Sequence, residues 1–82
     1  MLQVESVPIE AVRVPVKRVK TLGEDKVMAL AEDILENGQK VPIRVRKDAK
    51  GYVLIEGFHR LEALRALGEE TIRTYIVSAR QH

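Results

Sequence analysis

One segment sets the architecture of this chain, and it reads Leu54-Ile55-Glu56-Gly57-Phe58-His59-Arg60-Leu61-Glu62-Ala63. It passes from a β-rich run, through one glycine, directly into a helical pattern in which Leu61, Leu64 and Leu67 share one side. Gly68 is the predicted end of that helix. The first amides of a helix lack intrahelical partners, and the helix dipole adds partial positive charge there. This strand–glycine–helix turn therefore predicts an anion site.

His59 and Arg60 fall in the first turn of this helix, where a positive charge opposes the helix dipole. A bound anion would reverse that penalty, because Arg60 can hold phosphate oxygens bidentately and His59 can donate a hydrogen bond. A purely structural alternative remains open. In it His59 packs against the sheet, Arg60 pairs with Glu56 or Glu24, and Gly57 only forms a tight turn.

A second helix is predicted upstream of this turn. Thr21-Leu22-Gly23-Glu24 has the spacing of a capping box, with Thr21 as the N-cap and Glu24 reaching back to it. The helix should end at Asn37-Gly38. Its apolar residues recur at helical spacing and predict one buried stripe, formed by Val27, Leu30, Ala31, Ile34 and Leu35.

Four other segments are β-rich, and they comprise residues 4–7, 43–47, 52–55 and 71–78. The middle two are joined by a short polar loop ending at Gly51, so they should pair as an antiparallel hairpin. Residues 9–19 should form an edge strand or an extended loop, because Pro15 has no amide proton for a sheet. The predicted order is strand, helix, hairpin, helix, strand.

The composition indicates one compact soluble domain over residues 1–82, with 45% hydrophobic and 32% charged residues. The absence of cysteine excludes disulfides, thiolate zinc sites and a cysteine nucleophile. His82 has no second histidine or acid at ligand spacing, so no zinc site is indicated. No apolar run approaches the roughly 20 residues of a membrane span, and no signal peptide is recognisable. A cytoplasmic location without a membrane partner is expected.

The net charge of +2 does not by itself predict nucleic-acid binding. The charges are nevertheless segregated along the chain. Residues 24–36 carry five acidic side chains against Lys26 alone. A basic run without any acid precedes them and is a candidate for contact with a DNA backbone; it contains Arg13, Lys17, Arg18 and Lys20.

The run from Ile55 to Gly68, followed by Glu70-Thr71-Ile72, resembles the signature of the superfamily that joins the N-terminal domain of ParB-type partition proteins with the sulfiredoxins. Residues 29–38 and 42–45 resemble the helix and the following strand of the same domain. The similarity covers about residues 4–78. It implies a small α+β fold of the ParB/sulfiredoxin type, with a mixed sheet of about four strands and two main helices.

The resemblance also implies a ligand. In this superfamily the glycine-to-arginine turn binds nucleotide phosphates, of ATP in sulfiredoxins and of CTP in ParB, which makes Mg²⁺ an expected companion. The corresponding positions here are Gly57, Phe58, His59 and Arg60. Lys26 matches a lysine that sulfiredoxins use at the nucleotide, although a solvated helix lysine is an alternative.

Two departures limit what can be carried over. Sulfiredoxins place a catalytic cysteine where this chain has Phe58, so repair of cysteine sulfinic acid is chemically excluded. ParB partition proteins carry Gly-Glu-Arg-Arg at the turn and continue into a DNA-reading helix-turn-helix domain, which these 82 residues do not include. Glu56 is a candidate general base or magnesium ligand, with a simple charge partner as the alternative.

Three functional hypotheses follow. The leading one is a nucleotide-binding domain for ATP or CTP with Mg²⁺, acting as a regulatory switch or with slow phosphate hydrolysis. The second is a DNA-binding or nuclease-type module that uses the basic run. The third is a catalytically inert scaffold for protein association. A homodimer is compatible with each of them.

Overall fold

The computed structural model describes residues 3–20 and 22–77. Two long helices lie on one side of a twisted sheet, and a 3-10 turn and a short helix occupy the segment before the first long helix. The elements in chain order are β1 (Val4–Pro8), a 3-10 turn (Ile9–Ala11), β2 (Val12–Arg13), α1 (Val16–Val19), α2 (Glu24–Asn37), β3 (Ile43–Asp48), β4 (Gly51–Glu56), α3 (Phe58–Ala66) and β5 (Thr71–Val77).

The sheet is mixed and has the strand order β1-β5-β3-β4-β2. The β3–β4 hairpin is antiparallel as predicted, β1 is antiparallel to β5, and β3 and β5 run parallel. The small α+β fold with a mixed sheet is thus confirmed, with five strands where about four were expected. The additional strand is β2, whose two residues pair parallel with Tyr52 and Val53. Two residues are too few to show the alternating pattern of a strand. Pro15 follows closely and has no amide proton for a sheet, so a strand at this place is harder still to predict.

Helix α2 begins differently from the prediction. Gly23 is its N-cap and Glu24 its first residue, so Glu24 cannot complete a capping box from the third helical position. Thr21, the predicted cap, lies outside the described residues, as do Ser78 and His82. The predicted apolar stripe is confirmed except at Leu35, which is 74% exposed. Leu35 follows the buried Ile34 and is therefore turned about 100° away from the core around the helix axis.

The core lies between the sheet and the two long helices. Helix α3 contributes four buried residues, Phe58, Leu61, Ala63 and Leu64. The sheet meets them with the residues that alternate inward along its strands, Val7, Ile43, Val45, Leu54 and Ile72. α2 packs on α3 with Ile34 buried, and the core thereby fixes the direction in which α3 leaves the end of β4. Among the described helices, none is long and apolar enough to cross a membrane.

Candidate functional site

The turn between β4 and α3 is shaped by Gly57. This residue is the N-cap of α3 and has φ +106°, in the left-handed region that favours glycine. A Cβ atom there would lie 2.6 Å from Cγ2 of Ile43, which is closer than van der Waals contact allows. The glycine is thus required both by its backbone conformation and by the strand beside it, whatever ligand the turn binds.

The N-terminus of α3 carries amide hydrogens that have no acceptor within residues 3–20 and 22–77. No side chain caps this helix, and the first intrahelical bond is that from the amide of Leu61 to the carbonyl of Gly57, at 2.9 Å. The amides of residues 58–60 precede that bond and cannot form one of the same kind. They supply hydrogen-bond donors at the positive end of the helix dipole.

A second helix N-terminus meets the first. The backbone amide of Gly23, the N-cap of α2, donates a hydrogen bond of 2.9 Å to Nε2 of His59. Nε2 is therefore an unprotonated acceptor, which leaves the ring proton on Nδ1. A Cβ atom added at Gly23 would lie 3.5 Å from His59 Nε2 and 3.9 Å from Lys26 Cδ. The side chains of His59 and Lys26 therefore both lie next to this glycine. The structure thus brings His59 and Lys26 together at paired helix ends.

Arg60 lines a different part of the surface. It borders a cavity of about 230 Å³ that His59 does not line. The residues that line this cavity are Val41, Pro42, Arg44, Glu56, Gly57, Arg60 and Tyr75. His59 and Arg60, for which one shared anion is predicted from the sequence, thus lie at different parts of the surface. The reason is geometric, because consecutive helical residues point about 100° apart. Arg60 forms no hydrogen bond or ion pair with any residue among 3–20 and 22–77, including Glu56 and Glu24.

Glu56 lies beside the turn as an exposed charge partner. Its carboxylate is 3.7 Å from Nε of Arg44 on the neighbouring strand, so the partner is Arg44 rather than Arg60. A pair this exposed contributes little stability. In the described part of the chain, no group of three or more histidine or acidic side chains is placed to hold a metal ion. Glu56 as a general base or metal ligand remains a prediction without a supporting contact.

Phe58 is turned into the core. It is only 6% exposed, and its ring centroid lies 6.2 Å from that of His59 in a tilted arrangement. A side chain in this position cannot stack on a nucleotide base. Phe58 therefore offers a ligand its backbone amide alone.

The basic run is split by the structure. Arg13 forms an ion pair with Asp48. The hydrogen bond from the Arg13 guanidinium lowers the pKa of the Asp48 carboxyl, and the hydrogen bond from the backbone amide of Lys50 lowers it further. Arg18 donates to the carbonyl of Ile55 at the end of β4. Lys17 and Lys20 are exposed on and after α1. Two of the four predicted nucleic-acid contacts are thus engaged within the domain.

Sequence reasoning missed three residues at this site, Gly23, Arg44 and Tyr75. Arg44 and Tyr75 alternate with buried strand residues, which could have placed them on the outer side of the sheet. Gly23 carried no local signal, because its role depends on contact with His59, 36 residues away in sequence.

Comparison with known proteins identifies relatives of this domain. The model of the ParB N-terminal domain family matches residues 1–82. The chloroplastic/mitochondrial sulfiredoxin of Arabidopsis thaliana is 38% identical over 69 residues, which make up 84% of this chain and 55% of that protein. The chain thus spans little more than half the length of this relative.

Solved structures show the same fold. The crystal structure of Arabidopsis thaliana sulfiredoxin has a TM-score of 0.85 and 34% identity, covering 94% of this chain and 86% of that one. Truncated ParB from Caulobacter crescentus, complexed with CTP-gamma-S, has a TM-score of 0.82 and 23% identity, covering 96% of this chain and 46% of that one. A free serine kinase variant with AMP has a TM-score of 0.79 and 18% identity, covering 93% and 31%. By the family match over its whole length, this chain belongs to the ParB N-terminal domain family.

Proposed function

We propose that the domain binds a nucleoside triphosphate, ATP or CTP with Mg²⁺, and holds its phosphates between the N-termini of α2 and α3. The observation that carries the proposal is the hydrogen bond from the Gly23 amide to His59, which joins the two helix ends. Each N-terminus presents roughly half a positive charge and several free amides. Two such ends and a lysine suit a polyanion better than one end alone.

Each group has a distinct role in this proposal. The backbone amides of residues 58–60 and of the first turn of α2 donate to phosphate oxygens. The ammonium group of Lys26 pairs with the phosphate charge, and His59 donates through Nδ1 while Nε2 keeps its bond to Gly23. Gly57 permits the tight turn. Arg60 acts from the other flank of α3, where it adds positive charge at a greater distance.

Mg²⁺ would be held mainly by the phosphates. Mg²⁺ in nucleotide sites keeps several waters and uses few protein carboxylates. The ion supplies neutralisation of phosphate charge. Glu56 is the nearest acidic candidate in sequence for a slow hydrolysis, because it directly precedes Gly57.

The relatives support a nucleotide as the ligand. ParB of the same fold was solved with CTP-gamma-S, and a kinase of the same fold was solved with AMP. The two ligands have different bases and share a ribose and a phosphate group. This agrees with a site built from backbone amides and cationic side chains, which recognise phosphate rather than base.

We expect Lys26→Ala to weaken binding of Mg²⁺–ATP or Mg²⁺–CTP by about tenfold or more, because a charge-assisted hydrogen bond contributes about 1.5–3 kcal/mol. Isothermal titration calorimetry with ATP, CTP and GTP, with and without Mg²⁺, measures this. Arg60→Ala should have the smaller effect, since Arg60 lines the opposite flank. Lys50→Ala, in the exposed hairpin loop, is the charge-matched control. Absence of binding by every nucleotide would overturn the proposal.

A further inference from the structure

We infer that the face of the sheet opposite the core, whose Arg44 and Tyr75 also line the cavity beside Arg60, binds single-stranded nucleic acid. The residues of this face alternate along β3, β4 and β5 with the core residues of the same strands. Arginine and apolar side chains dominate it. The outer face is defined by Arg44, Arg46, Val53, Arg73, Tyr75 and Val77.

The strand register places an aromatic ring among these arginines. Tyr75 on β5 lies directly opposite Arg44 on β3, and Arg73 is two residues away on the same face. Arg46 lies opposite Val77 on one side and Val53 on the other. The centre of the face is therefore an apolar and aromatic platform flanked by guanidinium groups.

The positive charge of this face is only partly neutralised. Arg44 pairs with Glu56 across the hairpin. Arg46 forms no hydrogen bond or ion pair within the described ranges, 3–20 and 22–77, and it is exposed. The Arg73 guanidinium donates to the carbonyl of Gln39, a neutral acceptor, at 3.2 Å. The charge of Arg46 acts on the carboxylate of Asp48, whose bonded partner is Arg13. Arg46 and Arg73 nevertheless have no carboxylate bonded to them among the described residues, which favours an anionic partner and opposes packing of this face against the same face of a second copy.

The aromatic ring decides the kind of anion. Single strands expose bases that stack on aromatic rings and arginine planes, and their phosphates pair with basic groups beside the ring. An acidic peptide would use the arginines but gain little from stacking on Tyr75. A duplex hides the faces of its bases. The other tyrosine, Tyr52, packs against the core, so the platform stacks one base, and the affinity should be modest.

The test is fluorescence anisotropy with a labelled single strand of about 12 nucleotides, a length within the usual range for such platforms. We expect Tyr75→Ala to weaken binding about tenfold, the loss typical of one stacked base, and Tyr75→Phe to leave it unchanged. Arg46→Ala should weaken binding several-fold and flatten its dependence on salt, because Arg46 pairs with a phosphate. Arg46 is exposed, so its substitution does not threaten the fold.

Lys17→Ala removes the same charge from the basic run before α2 and serves as the matched comparison, with an expected change of less than about twofold. The inference is overturned if Lys17→Ala is as damaging as Arg46→Ala, if a duplex of the same sequence binds as tightly, or if polyglutamate competes as well as an unlabelled strand. It does not rest on the nucleotide site. Arg46→Ala should leave the calorimetric titration with mononucleotide unchanged, so failure of one proposal is distinguishable from failure of the other.

Discussion

Gly57→Ala should lower the free energy of unfolding by about 3 kcal/mol, a large share of the stability of a small domain. Two costs add. A residue with a side chain pays about 1–2 kcal/mol for a left-handed backbone, and the new methyl group would sit 2.6 Å from Cγ2 of Ile43. Ile43 is only 1% exposed and pairs with β5, so it cannot move aside cheaply. Urea unfolding followed by circular dichroism measures the loss.

Gly68→Ala separates these two costs. Gly68 has φ +78° and no atom within 4 Å of its Cβ position, so only the backbone cost of about 1 kcal/mol applies there. The difference between the two variants reports the close approach of β3 to the turn. Equal losses for Gly57→Ala and Gly68→Ala would show that Ile43 does not crowd the turn.

Phe58→Ala should destabilise the domain by about 3 kcal/mol, the lower end of the range for removal of a buried aromatic ring. Phe58 is 6% exposed and belongs to the core formed by the sheet and the long helices. The loss arises from removed contacts and from the cavity that remains. Thermal or urea unfolding of the purified variant gives the value.

Phe58→Leu tests the role of the ring at the ligand site. It keeps most of the buried volume and should cost only about 1 kcal/mol. Nucleotide affinity should stay unchanged, since Phe58 meets the phosphate only through its backbone. A clear loss of affinity in a variant that remains folded would mean that the ring contacts the nucleotide.

The parts of the fold with strong periodic signals could be predicted from the sequence. Helix α3 followed from Leu61 and Leu64 and from the glycines at both ends, and the hairpin followed from two β-rich runs around a short polar loop. Each of these elements is formed by residues that are close together in sequence. The apolar side chains that make its pattern recognisable are also the side chains that it buries. The exposed Leu35 shows the limit, because a stripe at helical spacing does not reveal how wide a face its partner covers.

Long-range contacts could not be predicted in this way. β2 exists through its pairing with β4, and α2 begins at Gly23, whose amide is bonded to His59. The side chain of Gln39 accepts a hydrogen bond from the backbone amide of Arg73 and donates one to the backbone carbonyl of Arg73. These two hydrogen bonds hold the loop after α2 against β5. None of these contacts leaves a local pattern. The separation of His59 from Arg60 is different, because it follows from the helix itself, in which consecutive residues point about 100° apart.

The structure shows what occupies the position at which this chain differs from the sulfiredoxins. Where sulfiredoxins carry a reactive cysteine, this chain places a ring that closes the core beneath the turn. The turn itself keeps its glycine and its free amides.

An amide chemical-shift titration with Mg²⁺–CTP and Mg²⁺–ATP shows directly whether phosphates bind between the N-termini of α2 and α3. We predict that the largest shifts fall on two separate segments, the amides of residues 23–26 and those of residues 57–60, and that Lys26→Ala weakens both together. Shifts confined to the Arg60 side of α3, or no shifts at either helix N-terminus, would contradict a phosphate site formed by the paired ends.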